Sequence, residues 1–441
     1  MNNSITLALP EQQPLAKRLL KYPFLAHYQR LFLLATAVNL YFLFNGIFAQ
    51  HWWHDQGFAR ETISELMLIN LTVAILMRQQ YVINALFWLA TRAPTSWPLR
   101  IRWHLAKVYH FGGLHSGCAT FATAWFFIYN ASLWHYSLQG IKLVPDFLLA
   151  LSTCLCAVLV LVTLCALPVI RRDYHNLFEL VHRFGGWSLL AGFWLHTALS
   201  VIPASGELLP LIQSPAFYLL CLVSISIALP WLRLKKVPVT FTRPSSHVVL
   251  ARFDYGVKPF AGSSTAISRS PLTQWHSFAN VPSPDDPGFR LTISRAGDWT
   301  GELIDELPSH LWVRGIPTAG VANIEVLFKR VIYIATGSGI GPCLPHLLAG
   351  KVPALLVWAT RDPRKTYGDE LVDEIISVQP EAEIWNTKEK GKPDMVALAY
   401  RAYRQFNAEA VICISNQALT NEVVFGMESR GIPAYGAIWD S

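Results

Sequence analysis

Charge is scarce in this chain: Asp, Glu, Lys and Arg make up 15% of 441 residues, against 52% hydrophobic residues. Soluble domains carry about 25% charged residues, so an ordinary soluble fold is excluded for at least part of the length. Paired cysteines are missing too. The seven cysteines (118, 154, 156, 165, 221, 343 and 413) form no Cys-x-x-Cys pair, and five of them lie in apolar segments, which argues against both disulfides and structural zinc. No repeat of solenoid period and no low-complexity tract is present. Residues 1–30 are polar and basic, and the first apolar run has no small-residue cleavage site after it, so it reads as an anchor rather than a removable signal. The formal charge of +7 does not point to nucleic acid, because much of it sits in short loops between apolar segments.

What the chain does hold is apolar sequence gathered in its first half. Residues 31–232 read as a polytopic α-helical membrane domain, and the remainder as roughly 200 residues of globular sequence. Six spanning helices are expected, near 31–49, 62–90, 105–129, 143–167, 178–201 and 211–232, each with about the twenty apolar residues a bilayer requires. The second contains Arg78-Gln79-Gln80, a polar insertion that either interrupts the span or ends it and begins a surface helix. Lys17, Arg18, Lys21 and Arg30 precede the first span, and Arg92, Arg100, Arg102 and Lys107 lie between the second and third. Arg171, Arg172 and Arg183 flank the start of the fifth, and Arg233, Lys235 and Lys236 follow the sixth. The alternate loops hold only Arg60 and Lys142, so both termini are expected in the cytoplasm.

Residues 238–325 alternate short β-type runs with Pro, Gly and Ser turns, as a small antiparallel β-barrel does. From Val331 the runs VIYIA, ALLVWA and VICIS read as buried strands of a parallel α/β domain over 328–441. The first of them enters Thr336-Gly337-Ser338-Gly339-Ile340-Gly341-Pro342 and then a helical stretch. Glycines let a backbone turn sharply and approach a pyrophosphate, and a helix N-terminus attracts its charge, so a nucleotide site is expected there. A tight turn without ligand is the alternative. Arg361, Arg364 and Lys365 follow the second strand and suit a 2′-phosphate, which favours NADPH over NADH; a solvated basic turn is the other reading.

The fifth apolar segment carries His182 and His196 with thirteen residues between them. Fourteen residues is close to four helical turns, so both imidazoles share a face about 21 Å apart along the axis. Intramembrane histidines face the bundle interior by default, and two on one stripe suggest axial haem ligands. Histidines hydrogen-bonded to neighbouring helices are the alternative. His51-Trp52-Trp53-His54 and His135 fall in outer loops, where paired tryptophans read as an interfacial belt more readily than as a metal site.

With these motifs in view, the chain resembles the ferric reductase and NADPH oxidase superfamily over roughly residues 60–441, and within it most resembles TmpA-type membrane flavoproteins. Trp275-His276-Ser277-Phe278-Ala279 resembles the family's flavin strand, and Gly297-Asp298-Trp299-Thr300 matches its Gly-Asp-Trp-Thr turn. Thr336–Pro342 matches the nucleotide loop, and Gly391-Lys392-Pro393-Asp394 resembles a Gly-Arg-Pro segment. The resemblance implies FAD on the β-barrel, NADPH on the α/β domain and b-type haem in the helices. It also makes Trp439, third from the end, a candidate aromatic cover for the flavin, with a core tryptophan as the equal alternative. Ser277 and Ala279 depart from the family's proline and hydroxyl residue, and Ile414-Ser415-Asn416 replaces Cys-Gly-Pro, so Cys413 does not inherit a role.

The family's two-haem pattern needs two histidines on the third helix opposite two on the fifth. Counted from Leu105 and Phe178, His110 and His182 lie about 7 and 6 Å into their helices, a match in depth. His196 lies about 27 Å in and His115 only about 15 Å, an offset that one iron does not bridge without a kink. Thr123 or Ala124 stands where a partner for His196 is needed. One inner haem between His110 and His182 is therefore preferred; a second, using His115 or His104 with His196, is strained, and loss of haem altogether stays open. The expected activity is an NADPH-dependent membrane oxidoreductase passing electrons to a ferric chelate, oxygen, a quinone or a lipophilic metabolite. The alternatives are a biosynthetic flavin-dependent reductase of a small molecule and a non-catalytic sensor or assembly factor.

Overall fold

The computed structural model describes residues 8–52, 58–202, 205–282 and 287–437; Trp53, His54 and Trp439 lie outside the described residues. The first half forms α1 (Leu15–Leu19), α2 (His27–Phe44), α3 (Arg60–Leu76), α4 (Gln80–Ala90), α5 (Leu99–Leu105) and α6 (Gly112–Leu138). It continues with α7 (Asp146–Cys165), α8 (Pro168–Asp173), α9 (His175–Val201), α10 (Leu209–Gln213) and α11 (Pro215–Ala228). Two compact units divide the chain. A helical unit comprises 28–79 and 111–231, and a mixed α/β unit draws on Met1–His27, Gln80–His110 and Leu232–Ser441.

Three stretches, Pro23–Ala49, Asp146–Cys165 and Pro215–Arg233, are long and apolar enough to cross a membrane. The count is four if α3 and α4, bent by 72° at their junction, are one broken span. Among the described residues, three or four of the six expected spans therefore meet the length and hydropathy a bilayer requires. The helices α6 and α9, with 27 residues each, have the length, but histidine, glycine, serine and threonine dilute their hydropathy. The second expected span ends at Leu76, before Arg78 and Gln79, and residues from Gln80 belong to the other unit. The third begins at Gly112 rather than at 105, because Ala106–Phe111 coils as a 3-10 helix.

Within the helical unit, Ile63, Trp125, Phe126, Leu133, Leu155 and Phe193 form the centre of the core. Glycine sets its closest approaches. A Cβ on Gly113 would collide with the Tyr28 carbonyl, one on Gly117 would lie 2.8 Å from Ala35 Cβ, and one on Gly185 would lie 2.7 Å from Val162 Cγ2. Small residues that let helix backbones approach account for these positions. Asn39 of α2 and Asn70 of α3 exchange amide hydrogen bonds at 3.0 and 2.8 Å, and Trp125 Nε1 donates to Asn39 Oδ1 at 2.7 Å. A buried amide left unpaired is costly, so this trio fixes the register of three helices.

The mixed unit contains β1 (Lys235–Pro238), β2 (Thr240–Thr242), β3 (Val248–Phe253), β4 (Ser263–Ser268), β5 (His276–Ala279), β6 (Val281–Pro282) and β7 (Phe289–Ser294). Then come α12 (Asp298–Glu306) and β8 (His310–Ala319). The expected barrel is two four-stranded antiparallel sheets, β1-β8-β4-β5 and β2-β3-β7-β6, rather than one closed cylinder. Their shared core includes Val249, Phe253, Phe289, Leu291 and Leu311, and α12 adds Trp299, Leu303 and Ile304. The rest is the expected parallel α/β layer: β9 (Val331–Thr336), α13 (Ile340–Ala349), β10 (Ala354–Thr360), α14 (Pro363–Tyr367), α15 (Asp369–Val378), β11 (Glu383–Asn386), α16 (Thr387–Lys390), α17 (Met395–Gln405), β12 (Ala410–Ile414), α18 (Gln417–Glu428) and β13 (Ala434–Gly436). Its strand order is β11-β10-β9-β12-β13.

Segments remote in sequence complete this unit. Gln13 N donates to Ser429 O at 2.8 Å, and Arg430 Nε donates to Pro10 O at 2.9 Å. Arg102 of α5 grips both Glu409 oxygens, at 2.7 and 3.2 Å. Lys107 forms a buried ion pair with Glu428, whose Oε1 also accepts from Trp103 Nε1 at 3.0 Å, while Lys107 Nζ donates to Ala434 O at 3.0 Å. Burial alone would raise the Glu428 carboxyl, but Lys107, Lys21 and these hydrogen bonds outweigh it and hold the pKa below the usual range.

Candidate functional site

β5 alternates its side chains between two faces. His276 and Phe278 face Trp299, at ring-centroid distances of 4.2 and 6.2 Å, while Ser277 points to solvent. Trp299 sits in the first turn of α12, nearly buried, and its Nε1 has no hydrogen-bond partner among the described residues. Thr300 is occupied locally: its hydroxyl accepts from Ala296 N at 2.9 Å and Gly297 N at 3.1 Å. Gly297 is extended backbone at the N-cap. The structure thus gathers His276, Phe278, Gly297, Trp299 and Thr300 into one aromatic shelf. Ala279 stands at the end of the same strand, paired with Ser264.

The strand–loop–helix expected for a nucleotide site is present as β9, a 3-10 turn at Gly337–Gly339, and α13. Each glycine has its own reason. Gly337 has φ +51°, a conformation few other residues tolerate. A Cβ on Gly339 would strike the Ile414 carbonyl, and one on Gly341 would lie 3.3 Å from Thr292 Cβ of β7. Close packing thus constrains the last two glycines whatever the loop binds. Gly341 seats α13, Pro342 included, against the antiparallel sheets, beside the aromatic shelf. The Thr336 and Ser415 hydroxyls are hydrogen-bonded, Trp358 Nε1 donates to Gly337 O at 2.9 Å, and Ser338 is half-buried between them. No side chain caps the N-terminus of α13, and the N–H of Ile340, its first residue, donates back to the preceding 3-10 turn.

Beyond β10 the basic residues separate. Arg364 donates to Asp369 at 2.8 Å and Asp373 at 2.6 Å, which raises its pKa further and commits it to α15. Arg361 is exposed and makes no ion pair among the described residues. Lys388, in α16, pairs with Asp362 at 2.7 Å and holds that carboxyl below its ordinary range. Cys413 is fully buried, and burial pushes its thiol up to about 12, so it is inert. Asn416, which stands where the family has proline, caps α18 by accepting from Leu419 N at 3.0 Å.

The histidines fall out differently from the expected pairing. His110 lies in the 3-10 stretch of the mixed unit, against Tyr109 at 4.3 Å and His27 at 5.8 Å. His182 lies in the helical unit, and the imidazole beside it is His115, at 6.3 Å between ring centroids. The depth count placed the third helix start at 105; with its start at Gly112, His115 falls in the first turn of α6 and His182 in the second of α9. His115 Nδ1 is 2.8 Å from the Ala74 carbonyl. His196 faces Phe126 and Tyr129, at 6.2 and 5.8 Å, rather than Thr123, which is hydrogen-bonded to Thr163, or Ala124. Its Nε2 is buried and unpartnered among the described residues. Among the described residues, no group of three or more His, Cys, Asp or Glu side chains is arranged to hold a metal ion.

One buried cluster had no sequence signal. His346 Nδ1 and Glu325 Oε1 lie 2.6 Å apart, and Tyr333 OH donates to Glu325 Oε2 at 2.8 Å. The partners are remote in sequence, and only the packing of α13 on β9 brings them together.

Comparison with known proteins bears on this geometry. Residues 321–441 match the model for "Adenylate-forming reductase 03009, C-terminal domain". The chain is similar to adenylate-forming reductases of Coprinopsis cinerea. It is 41% identical over 430 residues to Adenylate-forming reductase 03009, covering 96% of this chain and 41% of the relative. It is 40% identical over 418 residues to Adenylate-forming reductase 06235, covering 94% and 40%. The chain therefore spans about two-fifths of the length of these curated relatives. A lower similarity, 25% over 227 residues (47% of this chain, 38% of the relative), links it to Probable metalloreductase AIM14 of Candida tropicalis. Among solved structures, a ferredoxin NADP+ reductase from Neisseria gonorrhoeae superposes with a TM-score of 0.39 at 11% identity, over 47% of this chain and 99% of that one. Phthalate dioxygenase reductase gives 0.37 at 17% identity, over 46% and 67%.

Proposed function

We propose that this chain is the NADPH-dependent, FAD-binding reductase portion of a membrane-associated oxidoreductase, with both termini cytoplasmic and its reducing equivalents destined for an organic acceptor. The observation that carries this reading is the seating of α13, by Gly341 against Thr292, beside the His276–Phe278–Trp299 shelf. That arrangement puts a nucleotide-type loop next to a flat aromatic surface within one unit, as hydride transfer between two ring systems requires.

The residues fit the two nucleotides. His276 and Phe278 offer a planar apolar surface, Ala279 leaves room at its end, and the Trp299 Nε1 donor stands ready for an acceptor oxygen. For the second nucleotide, the uncapped first turn of α13 and the unpaired Arg361 suit a pyrophosphate and a 2′-phosphate. Arg364 is withdrawn from that role by its two carboxylates. When bound, FAD and NADPH supply hydride exchange and a b-type haem one-electron carriage.

For haem, the helices offer one fitting pair. Two imidazoles on one iron, with metal–nitrogen bonds of about 2 Å, hold their ring centres roughly 6 Å apart, and His115 and His182 are at 6.3 Å. The Ala74 carbonyl orients His115 by its Nδ1, leaving Nε2 for a metal. Nothing lies within 4 Å of a Cβ built on Gly186, one turn from His182. His196 does not fit: Phe126 and Tyr129 stand where a second imidazole is needed. With the outer position closed, the acceptor is reached from the cytoplasmic side, where a small organic molecule is the better candidate.

The visible spectrum of the detergent-purified protein tests this. Flavin absorbance bleached by NADPH and a Soret band shifted to longer wavelength by it are expected, with the Soret band lost in His115→Ala and His182→Ala and kept in His196→Ala. Absence of flavin refutes the proposal. The exposed Ser277 and the small Ala279 beside the aromatic shelf favour a second reading, in which the small molecule meets the flavin directly and the helices only anchor; flavin without haem selects it.

A further inference from the structure

The helix α4 is built inside out for a soluble surface. Its polar residues face the protein: Gln80 Oε1 accepts from Ile316 N at 3.0 Å, Asn84 Oδ1 from Ala319 N at 2.8 Å, and Asn84 Nδ2 donates to Pro317 O at 3.0 Å. Ile83, Phe87 and Ala90 complete the buried side. The opposite stripe, Tyr81, Ala85, Trp88, Leu89 and Arg92, follows the helical period and is exposed, Trp88 to 58% and Leu89 to 66%. Arg92 lies over the Trp88 ring at 4.4 Å from its centroid. Exposed Trp97, Arg100 and Ile101 follow in the next segment.

We infer that the exposed stripe of α4 lies in the headgroup region of the bilayer and fastens the antiparallel sheets to the membrane surface. The inference rests on the membrane reading above and specifies which part of the mixed unit meets lipid. Three observations point to lipid rather than to a protein partner. The composition of the stripe, tryptophan, tyrosine and leucine rimmed by arginine, is the one that settles at the boundary of headgroups and acyl chains. Arg92 and Arg100 are exposed with no acid on the stripe, which complements anionic headgroups. The chain also enters α4 three residues after α3, half of the possible broken span, so the helix begins within a short reach of apolar sequence. Through Gln80 and Asn84, lipid contact is transmitted to Ile316–Ala319 of β8, which pairs with β4, the neighbour of the flavin strand.

Photo-crosslinking on the full chain tests this, in vesicles of phosphatidylcholine with phosphatidylglycerol. A benzophenone amino acid would replace, one at a time, Leu89 in α4, Leu161 in α7 and Leu272 in the loop before β5; all three are exposed, so folding is undisturbed. Lipid adducts at 89 and 161 but not at 272 are expected, with the adduct at 89 weakened by Arg92→Glu. An adduct at 161 but none at 89, or a protein adduct at 89, overturns the inference while leaving the membrane reading intact. No lipid adduct at either 89 or 161 overturns both.

Discussion

Replacing Lys107 with methionine probes how the mixed unit is held together. Lys107 and Glu428 side chains are only 6% and 7% exposed, so neither charge has water to fall back on. Removing one partner of a buried ion pair costs about 3–5 kcal/mol, because the other charge stays buried and uncompensated. In Lys107→Met, Glu428 keeps Trp103 Nε1 at 3.0 Å and Lys21 at 4.0 Å, which places the loss at the lower end, about 3 kcal/mol. At ~2–4 °C per kcal/mol for a unit of this order, melting falls by about 6–12 °C. Glu428→Gln leaves Lys107 with Ala434 O and costs a similar amount. The double variant removes both charges and is expected within ~1 kcal/mol of wild type, since an apolar replacement of a whole buried pair is often neutral. The assay is thermal unfolding of the full chain in detergent, with hydrogen exchange over residues 417–436 to assign the transition. Single variants that melt like wild type, or a double variant at the sum of the singles, refute the claim that these charges depend on each other.

The same carboxylate predicts a pH dependence. Its folded pKa is depressed, so its contribution is present above the unfolded value of about 4.3 and fades as pH falls through the folded one. The stability gap between wild type and Glu428→Gln is therefore expected to narrow in acid, as measured by melting from pH 7 to 3; a gap that widens contradicts the assignment. Arg361→Ala is expected to raise KM for NADPH about tenfold, as loss of one phosphate contact of ~1.4 kcal/mol does, while leaving NADH unchanged; Arg364→Ala, whose charge is spent on Asp369 and Asp373, should not discriminate between the two. Gly339→Ala places a methyl against the Ile414 carbonyl and is expected to abolish NADPH binding by calorimetry while flavin is retained. Trp299→Ala should lower flavin occupancy, read from the absorbance ratio after gel filtration.

Features written in consecutive residues were legible in the sequence. The β9 strand, its glycine turn and α13 announce themselves through a buried run followed by residues that permit a tight backbone. The Arg78–Gln80 insertion foretold a helix end. The start of α6 was not legible, since Ala106–Phe111 has the composition of the helix it precedes and only its 3-10 winding shifts the register. That shift brings His115 beside His182. The roles of Arg361 and Arg364 were indistinguishable as a basic run; Asp369 and Asp373 separate them only once α15 has folded. Glu325 and His346 carry no shared pattern, because a buried pair formed between a 3-10 turn and a separate helix has no sequence period.

Glu428 emerges from the ribosome 321 residues after Lys107, and Glu409 follows Arg102 by 307. At about 5–20 residues per second, both cations wait some tens of seconds for their counterions. During that interval the segment 80–110 stands without its acidic partners. It also follows that a recombinant fragment starting after the last long helix would bury Glu428 without its lysines, so expression trials should retain the early segments or supply them in trans.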